Sequence, residues 1–359
     1  MITSPGARFT VPEELSAASP PESRGLSRDD VRLLVASAES TEHVRFRDIA
    51  RFLVPGDLLV VNTSATLPAA VDGVASDVEG ERRPVVVHFS TALDEATWLV
   101  ELRSAPAGSA PLLDGVLGPV VELAGGGRLK LLEGHEGLAR PQRVRRARVD
   151  VPDDSVEAFL ARTGRPIRYG HVRDSWPLAA YQTVFAREPG SAEMPSAARP
   201  FTAPLVVELI SGGTIFAPVV LHTGVSSLES DEPPLAERFR VPAVTARLVN
   251  LTKRAGGRVI AVGTTATRAL ESAVGADGSV RSREGWTDLV LGPERPARVV
   301  DGLVTGLHEP SSSHLLLLEA VAGSELVQRV YDAAVEQRYL WHEFGDACLL
   351  LPHARNVPE

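Results

Sequence analysis

The segment from Arg258 to Ser272, Arg-Val-Ile-Ala-Val-Gly-Thr-Thr-Ala-Thr-Arg-Ala-Leu-Glu-Ser, holds the residues best spaced for chemistry. Arg258 to Val262 is a short β-branched apolar run, the pattern of a buried strand. Gly263 permits a sharp turn, and Thr264 or Thr265 is placed to cap a helix that continues through Ala269 and Leu270. A strand feeding a helix through Gly263, Thr264 and Thr265 points free backbone N–H groups and hydroxyls at one spot, which suits a carboxylate or phosphate. Arg268, one turn further on, either adds a positive charge for that anion or pairs with Glu271 at i, i+3. An ordinary βα turn with a threonine cap has the same signature, so the segment gains meaning only from its company.

That company lies mostly in the second half of the chain. His222 closes the strand-like run Phe216–His222, and His308 sits in the loop Thr305-Gly-Leu-His-Glu-Pro-Ser-Ser-Ser-His314 ahead of the apolar helix Leu315–Val321. Imidazoles on loops beside strand ends suit proton transfer. Glu188, before Pro189-Gly190, is either a turn residue or a carboxylate able to bind ribose hydroxyls or act as a base.

The elements that must position these groups change texture along the chain. Phe9–Leu15 reads as a strand turning into a short helix, Val31–Ala36 as a strand, His43–Leu53 as a helix, and Leu58–Val61 as a buried strand ending at Asn62. From about Ala70 to Ile167, short β-type runs alternate with Gly-, Pro- and Asp-bearing turns, which suggests a small antiparallel barrel or sandwich. After Tyr181 the alternation of strands and helices returns, with helices at Leu205–Ile210 and Pro242–Ala255. A βα pattern interrupted by a β-rich block predicts an α/β host with an inserted domain, residues 70–167 within 1–69 and 168–359.

Composition bounds the function. The 359 residues, 44% hydrophobic and 23% charged, are those of a globular chain with a sizeable core. No apolar run is long enough to cross a membrane, and no secretory signal opens the sequence. Cys348 is the only cysteine, so a disulfide framework and a cysteine metal cluster are excluded, and a reducing cytoplasm is expected. The net charge of −9 gives no global attraction for nucleic acid. A local basic run at Arg140, Arg143, Arg145, Arg146 and Arg148 reads as a solvated face or as a contact for RNA.

Taken in order, several stretches resemble the S-adenosylmethionine:tRNA ribosyltransferase-isomerase family. They are Phe9–Leu15, Pro55–Asn62, Leu67-Pro-Ala69, Tyr181–Gly190, Leu221-His222, Arg258–Glu271, Gly285-Trp-Thr-Asp288 and Gly345-Asp-Ala347. The resemblance implies a barrel-like main α/β domain with a smaller antiparallel β-barrel insertion. It also implies S-adenosylmethionine as ribosyl donor and co-substrate, no metal, and the aminomethyl group of a 7-deazaguanine in tRNA as acceptor. On that reading His222, His308 and Glu188 are the acid/base candidates. Gly263, Thr264, Thr265 and Arg268 hold a carboxylate or nucleotide, and Asn62, Tyr181 and Gln182 shape the pocket.

The chain departs from the family's pattern at polar positions. Thr63 and Ala65 stand for an Asp and an Arg, Ala70 for a second Arg, Pro200 for a His and Leu340 for a third Arg. Of a Met-His-x-Glu element only Glu237 survives, with Leu235 at the His position, and the Lys following His308 and Pro310 is gone. Lost arginines and lysine weaken contacts to phosphate or carboxylate. A diverged relative, acting on a small-molecule acceptor or binding a nucleotide without turnover, is therefore the alternative expectation.

Overall fold

The computed structural model describes residues 4–77, 80–106, 108, 110–112, 117–134, 143–225, 235–310 and 312–353. Arg140 of the basic run lies outside them. The chain opens with β1 (Arg32–Ser37), β2 (Thr41–Arg45), β3 (Leu58–Asn62) and the short β4 (Ser64–Thr66). It then enters a β-rich block: β5 (Ala70–Asp77), β6 (Arg82–Ala92), β7 (Thr97–Ser104), β8 (Leu117–Leu123), β9 (Arg128–Gly134) and β10 (Val144–Asp150), closed by α1 (Val156–Thr163). After it come β11 (Glu188–Ser191), α2 (Ala203–Ser211), β12 (Ile215–Leu221), β13 (Glu237–Val241), α3 (Ala243–Arg254), β14 (Val259–Val262) and α4 (Thr264–Ser272). The last elements are β15 (Arg283–Thr287), β16 (Gly302–Gly306), α5 (Ser313–Ala322), α6 (Ser324–Glu336) and β17 (Ala347–Leu351).

Nine of these strands form one mixed sheet in the order β15-β13-β12-β3-β14-β16-β17-β1-β2. Its centre, β12, β3, β14 and β16, is parallel. Parallel strands are covered on both faces, which is why β3 and β14 are unbroken apolar runs with every residue buried. Alternate side chains go to opposite layers. Leu58, Val60, Val259 and Ala261 pack with residues of α3 to α6, whereas Leu59, Val61, Ile260 and Val262 pack with Phe46, Phe201 and Leu205. Asp57 at the start of β3 accepts from Arg258 Nε (3.1 Å) at the start of β14, fixing the two runs in register.

The β-rich block is a closed six-stranded antiparallel barrel, β10-β7-β6-β5-β8-β9, with its own core including Val71, Phe89, Trp98 and Val100. The segments that enter and leave it are joined at its neck. Ala70 and Arg165 exchange backbone hydrogen bonds (2.9 Å each), and Arg165 clamps Asp72 through both guanidinium nitrogens at 2.6 and 2.9 Å. Gly164 is required there because a Cβ would stand 1.9 Å from the Pro68 carbonyl oxygen.

Three local expectations are corrected. Thr41–Arg45 is an edge strand against β1, and only Phe46–Phe52 is helical, as a 3₁₀ turn. Phe46 and Ile49 still face the core, so the apolar spacing is used without an α-helix. Phe9 is in no strand; its ring stacks on Tyr331 at 4.4 Å, and Glu13–Leu15 forms a 3₁₀ turn. At α4 the N-cap is Gly263, with φ 90° and no side-chain cap, so neither Thr264 nor Thr265 caps the helix.

Candidate active site

The parallel strands β3, β12, β14 and β16 all end on one side, and the residues leading into the antiparallel β17 return to the same side. This carboxyl edge is where an α/β sheet leaves a crevice for ligands. A cavity of about 550 Å³ occupies it, walled by the β14–α4 turn, the β16–α5 loop, the residues before β17 and the barrel's exit segment.

Six of the ten residues singled out in the sequence line this cavity: Tyr181, Gly263, Thr264, Thr265, Arg268 and His308. The first turn of α4 stands open to it. Because no side chain caps this helix, its N–H groups are left for a ligand. Thr265 Oγ1 is buried and has no hydrogen-bond partner among the described residues, which suits a ligand atom that would complete it. Arg268 does not pair with Glu271, whose carboxylate instead accepts from the backbone N–H groups of Arg298, Val299 and Val300. Its guanidinium reaches across to Glu237 and donates through Nε to the Leu289 carbonyl at 3.2 Å. Burial pushes the Glu237 carboxyl above its ordinary range, a shift that Arg268 only partly opposes.

The β16–α5 loop brings two imidazoles together, His308 and His314, stacked at 4.6 Å and 16°. The loop is pinned by the His308 N–H donating to Tyr331 Oη (3.1 Å) and by Trp341 Nε1–H donating to the His308 carbonyl (3.1 Å). Ser312 Oγ accepts from the His314 backbone N–H (3.2 Å) and lies 2.8 Å from His314 Nδ1. When the Ser312 hydroxyl donates to Nδ1, the ring proton of His314 sits on Nε2. Burial holds both imidazoles uncharged, His308 well below the usual histidine range and His314 at about 4.

Four of the ten residues stand outside the cavity wall. Asn62 bridges β3 to β12, donating to the Leu221 carbonyl (2.8 Å) and accepting from the Leu221 N–H (3.0 Å). Gln182 braces Thr66 by accepting from its N–H (3.0 Å) and donating to its carbonyl (2.8 Å). His222 is held 2.8 Å from Ser64 Oγ, with Gly190 so close to its ring that a Cβ would lie 2.3 Å from Nδ1. Glu188 forms a surface ion pair with Arg240 at 2.6 Å. In their place the cavity wall carries Glu193, Glu237, Glu309 and Glu343. Of these, Glu237 left a signal in the sequence as the survivor of a family element.

The neutral histidines carry a consequence for stability. Folded His314 and His342 titrate at about 4 and His88 at about 3, against 6.5 for the ordinary side chain. Above pH 6.5 neither the folded nor the unfolded chain is charged at these rings. Below it the unfolded chain takes up protons first, so stability falls as the pH drops from 6.5 towards 4. His314 alone contributes a loss of about 3 kcal/mol. Melting temperature is expected to fall steeply between pH 6.5 and 4.5, and His314→Gln to flatten the slope; a flat wild-type profile would contradict these burial assignments.

Comparison with known proteins identifies the family. A family model described as queuosine biosynthesis protein matches residues 7–350. S-adenosylmethionine:tRNA ribosyltransferase-isomerase of Symbiobacterium thermophilum is 34% identical over 357 residues, covering 96% of this chain and 98% of its own. The protein of the same name from Carboxydothermus hydrogenoformans is 34% identical over 355 residues, with 96% and 98% covered. The crystal structure of S-adenosylmethionine tRNA ribosyltransferase from Thermotoga maritima, 28% identical, superposes with a TM-score of 0.53 over 96% of this chain and 99% of that one. With matches that run through the sheet, the barrel and the cavity alike, the chain belongs to the queuosine biosynthesis protein family, a family of enzymes.

Proposed function

We propose that this enzyme transfers and isomerises the ribosyl group of S-adenosylmethionine onto the aminomethyl group of 7-aminomethyl-7-deazaguanine in tRNA, releasing adenine and methionine. The relatives' names support S-adenosylmethionine and tRNA as the substrates. The observation that carries the reading is the charge layout of the cavity. An uncapped helix N-terminus with the unpartnered Thr265 hydroxyl suits the methionine carboxylate. Four carboxylates share the same cavity with one guanidinium, and that one is already engaged by Glu237, which suits a sulfonium and an amine.

The sulfonium acidifies the adjacent ribose carbon, so the reaction needs a base there. Glu237 fits: it lines the cavity, burial strengthens it as a base, and Arg268 fixes its orientation. His308 and His314 stay neutral, so they act as hydrogen-bonding groups rather than as imidazolium acids. An Nε2–H on His314 stabilises charge developing on a leaving group without adding a positive charge beside the sulfonium.

The test is to incubate the protein with S-adenosylmethionine and tRNA bearing the aminomethyl base, digest the tRNA, and read the nucleoside masses. The expected result is a nucleoside carrying an added epoxycyclopentane ring. An unchanged nucleoside would overturn the proposal.

A further inference from the structure

The cavity wall holds a second group of rings that the reaction above does not use. Tyr169, His171 and His342 line it as a series of near-parallel planes. His171 stacks on His342 at 4.0 Å and 16°, and Tyr169 lies 6.4 Å from His171 at 15°. Each ring is tethered by a carboxylate: Tyr169 donates to Glu193, His171 Nε2 is 2.8 Å from Glu343, and His342 Nε2 is 3.3 Å from Glu309.

The backbone goes out of its way to present His342. Its φ of 72° is left-handed, a region that residues with a Cβ rarely adopt. The turn is locked by Trp341, whose N–H donates to the Leu15 carbonyl (2.8 Å), and by the Gly345 N–H donating to the His342 carbonyl (3.0 Å). Strain kept in a cavity wall points to a use for the ring. Burial holds that ring uncharged, at about 4.

We propose that the Tyr169–His171–His342 stack is the seat of the acceptor base, a planar deazaguanine-type heterocycle with N–H donors on its edge and a cationic aminomethyl arm. This rests on the function proposed above. Near-parallel rings give a heteroaromatic base a stacking surface. The tethering carboxylates accept from ring N–H and amino groups and attract the ammonium. The seat suits the acceptor better than the adenine of the donor, because a base delivered by a macromolecule needs an edge open to solvent. The Glu309 side chain beside this stack is 53% exposed, whereas that of Glu237 is 11% exposed.

His342→Gly is the informative variant, since glycine is at ease at this φ and the backbone turn is kept while the ring is lost. The expected result is a rise of about 5- to 150-fold in KM for the tRNA, the range of one lost stacking contact. Affinity for S-adenosylmethionine and melting temperature should hold, and His342→Phe should restore most of the loss. An unchanged tRNA KM in His342→Gly overturns the seat, as does an equal loss of affinity for S-adenosylmethionine, which would make this the adenine site. Should the wild type not turn over tRNA, the proposed function fails on its own, and titration with free 7-aminomethyl-7-deazaguanine decides the seat. Wild-type binding that His342→Gly weakens supports it; no wild-type binding, or equal binding by both, overturns it.

Discussion

Replacing Glu237 with glutamine is expected to lower single-turnover rates about 1,000-fold, within the range for a lost general base. Glutamine keeps the shape and can still accept from Arg268, but it cannot take a proton from carbon. It also leaves the Arg268 charge facing neutral groups such as the Leu289 carbonyl, at a cost of about 1–3 kcal/mol in stability. Glu237→Asp separates the two effects. Aspartate retains the charge and most of the stability but falls short of the ribose carbon, so its rate should stay low. A Glu237→Gln enzyme turning over within a few-fold of wild type would remove Glu237 from the chemistry.

Arg268→Ala is expected to act through the same carboxylate from the other side. Removing one partner of a buried ion pair leaves the other uncompensated, and such changes cost about 3–5 kcal/mol. Glu237, already raised by burial, loses its one opposing charge and rises further. Its folded value then lies well above the unfolded one, so the carboxyl binds its proton more readily in the folded chain. The variant's deficit relative to wild type should therefore be small near pH 4.5 and should grow as the pH rises through the folded value. The rate follows the ionised fraction, so it should fall at neutral pH and recover in part as the pH rises. Parallel pH–rate profiles for wild type and Arg268→Ala would show that Arg268 does not position this base.

Much of this architecture is readable in the sequence because the central strands are buried on both sides. Leu58–Val61 and Val259–Val262 need unbroken apolar runs, and the barrel strands need turns at short intervals, so both leave strong local patterns. Thr41–Arg45 is invisible for the opposite reason. It is an edge strand with mostly exposed side chains, defined by pairing with β1 and not by its own periodicity. The site divides similarly. The Gly263-Thr264-Thr265 turn is local and legible, although the helix is uncapped where a threonine cap was expected.

The acid/base candidates depend on distant contacts. His222 sits at a strand end, as read, but Ser64 and the backbone of Gly190 fix it away from the cavity wall. No spacing rule reveals that packing. Glu237 is legible as the survivor of a family element, but its pairing shows only when Arg268, 31 positions later in the chain, closes on it. The stripped basic positions predict a diverged relative. Yet 34% identity across 96% of the chain keeps it within the family, and the cavity retains an uncapped helix end and a buried carboxylate.

The most direct test of the account is adenine release from S-adenosylmethionine by the purified protein, followed with tRNA carrying 7-aminomethyl-7-deazaguanine, with tRNA lacking it, and without tRNA. The account predicts release in the first case only, with one methionine for each adenine. Release that ignores the tRNA, or no release in any of the three, would contradict it.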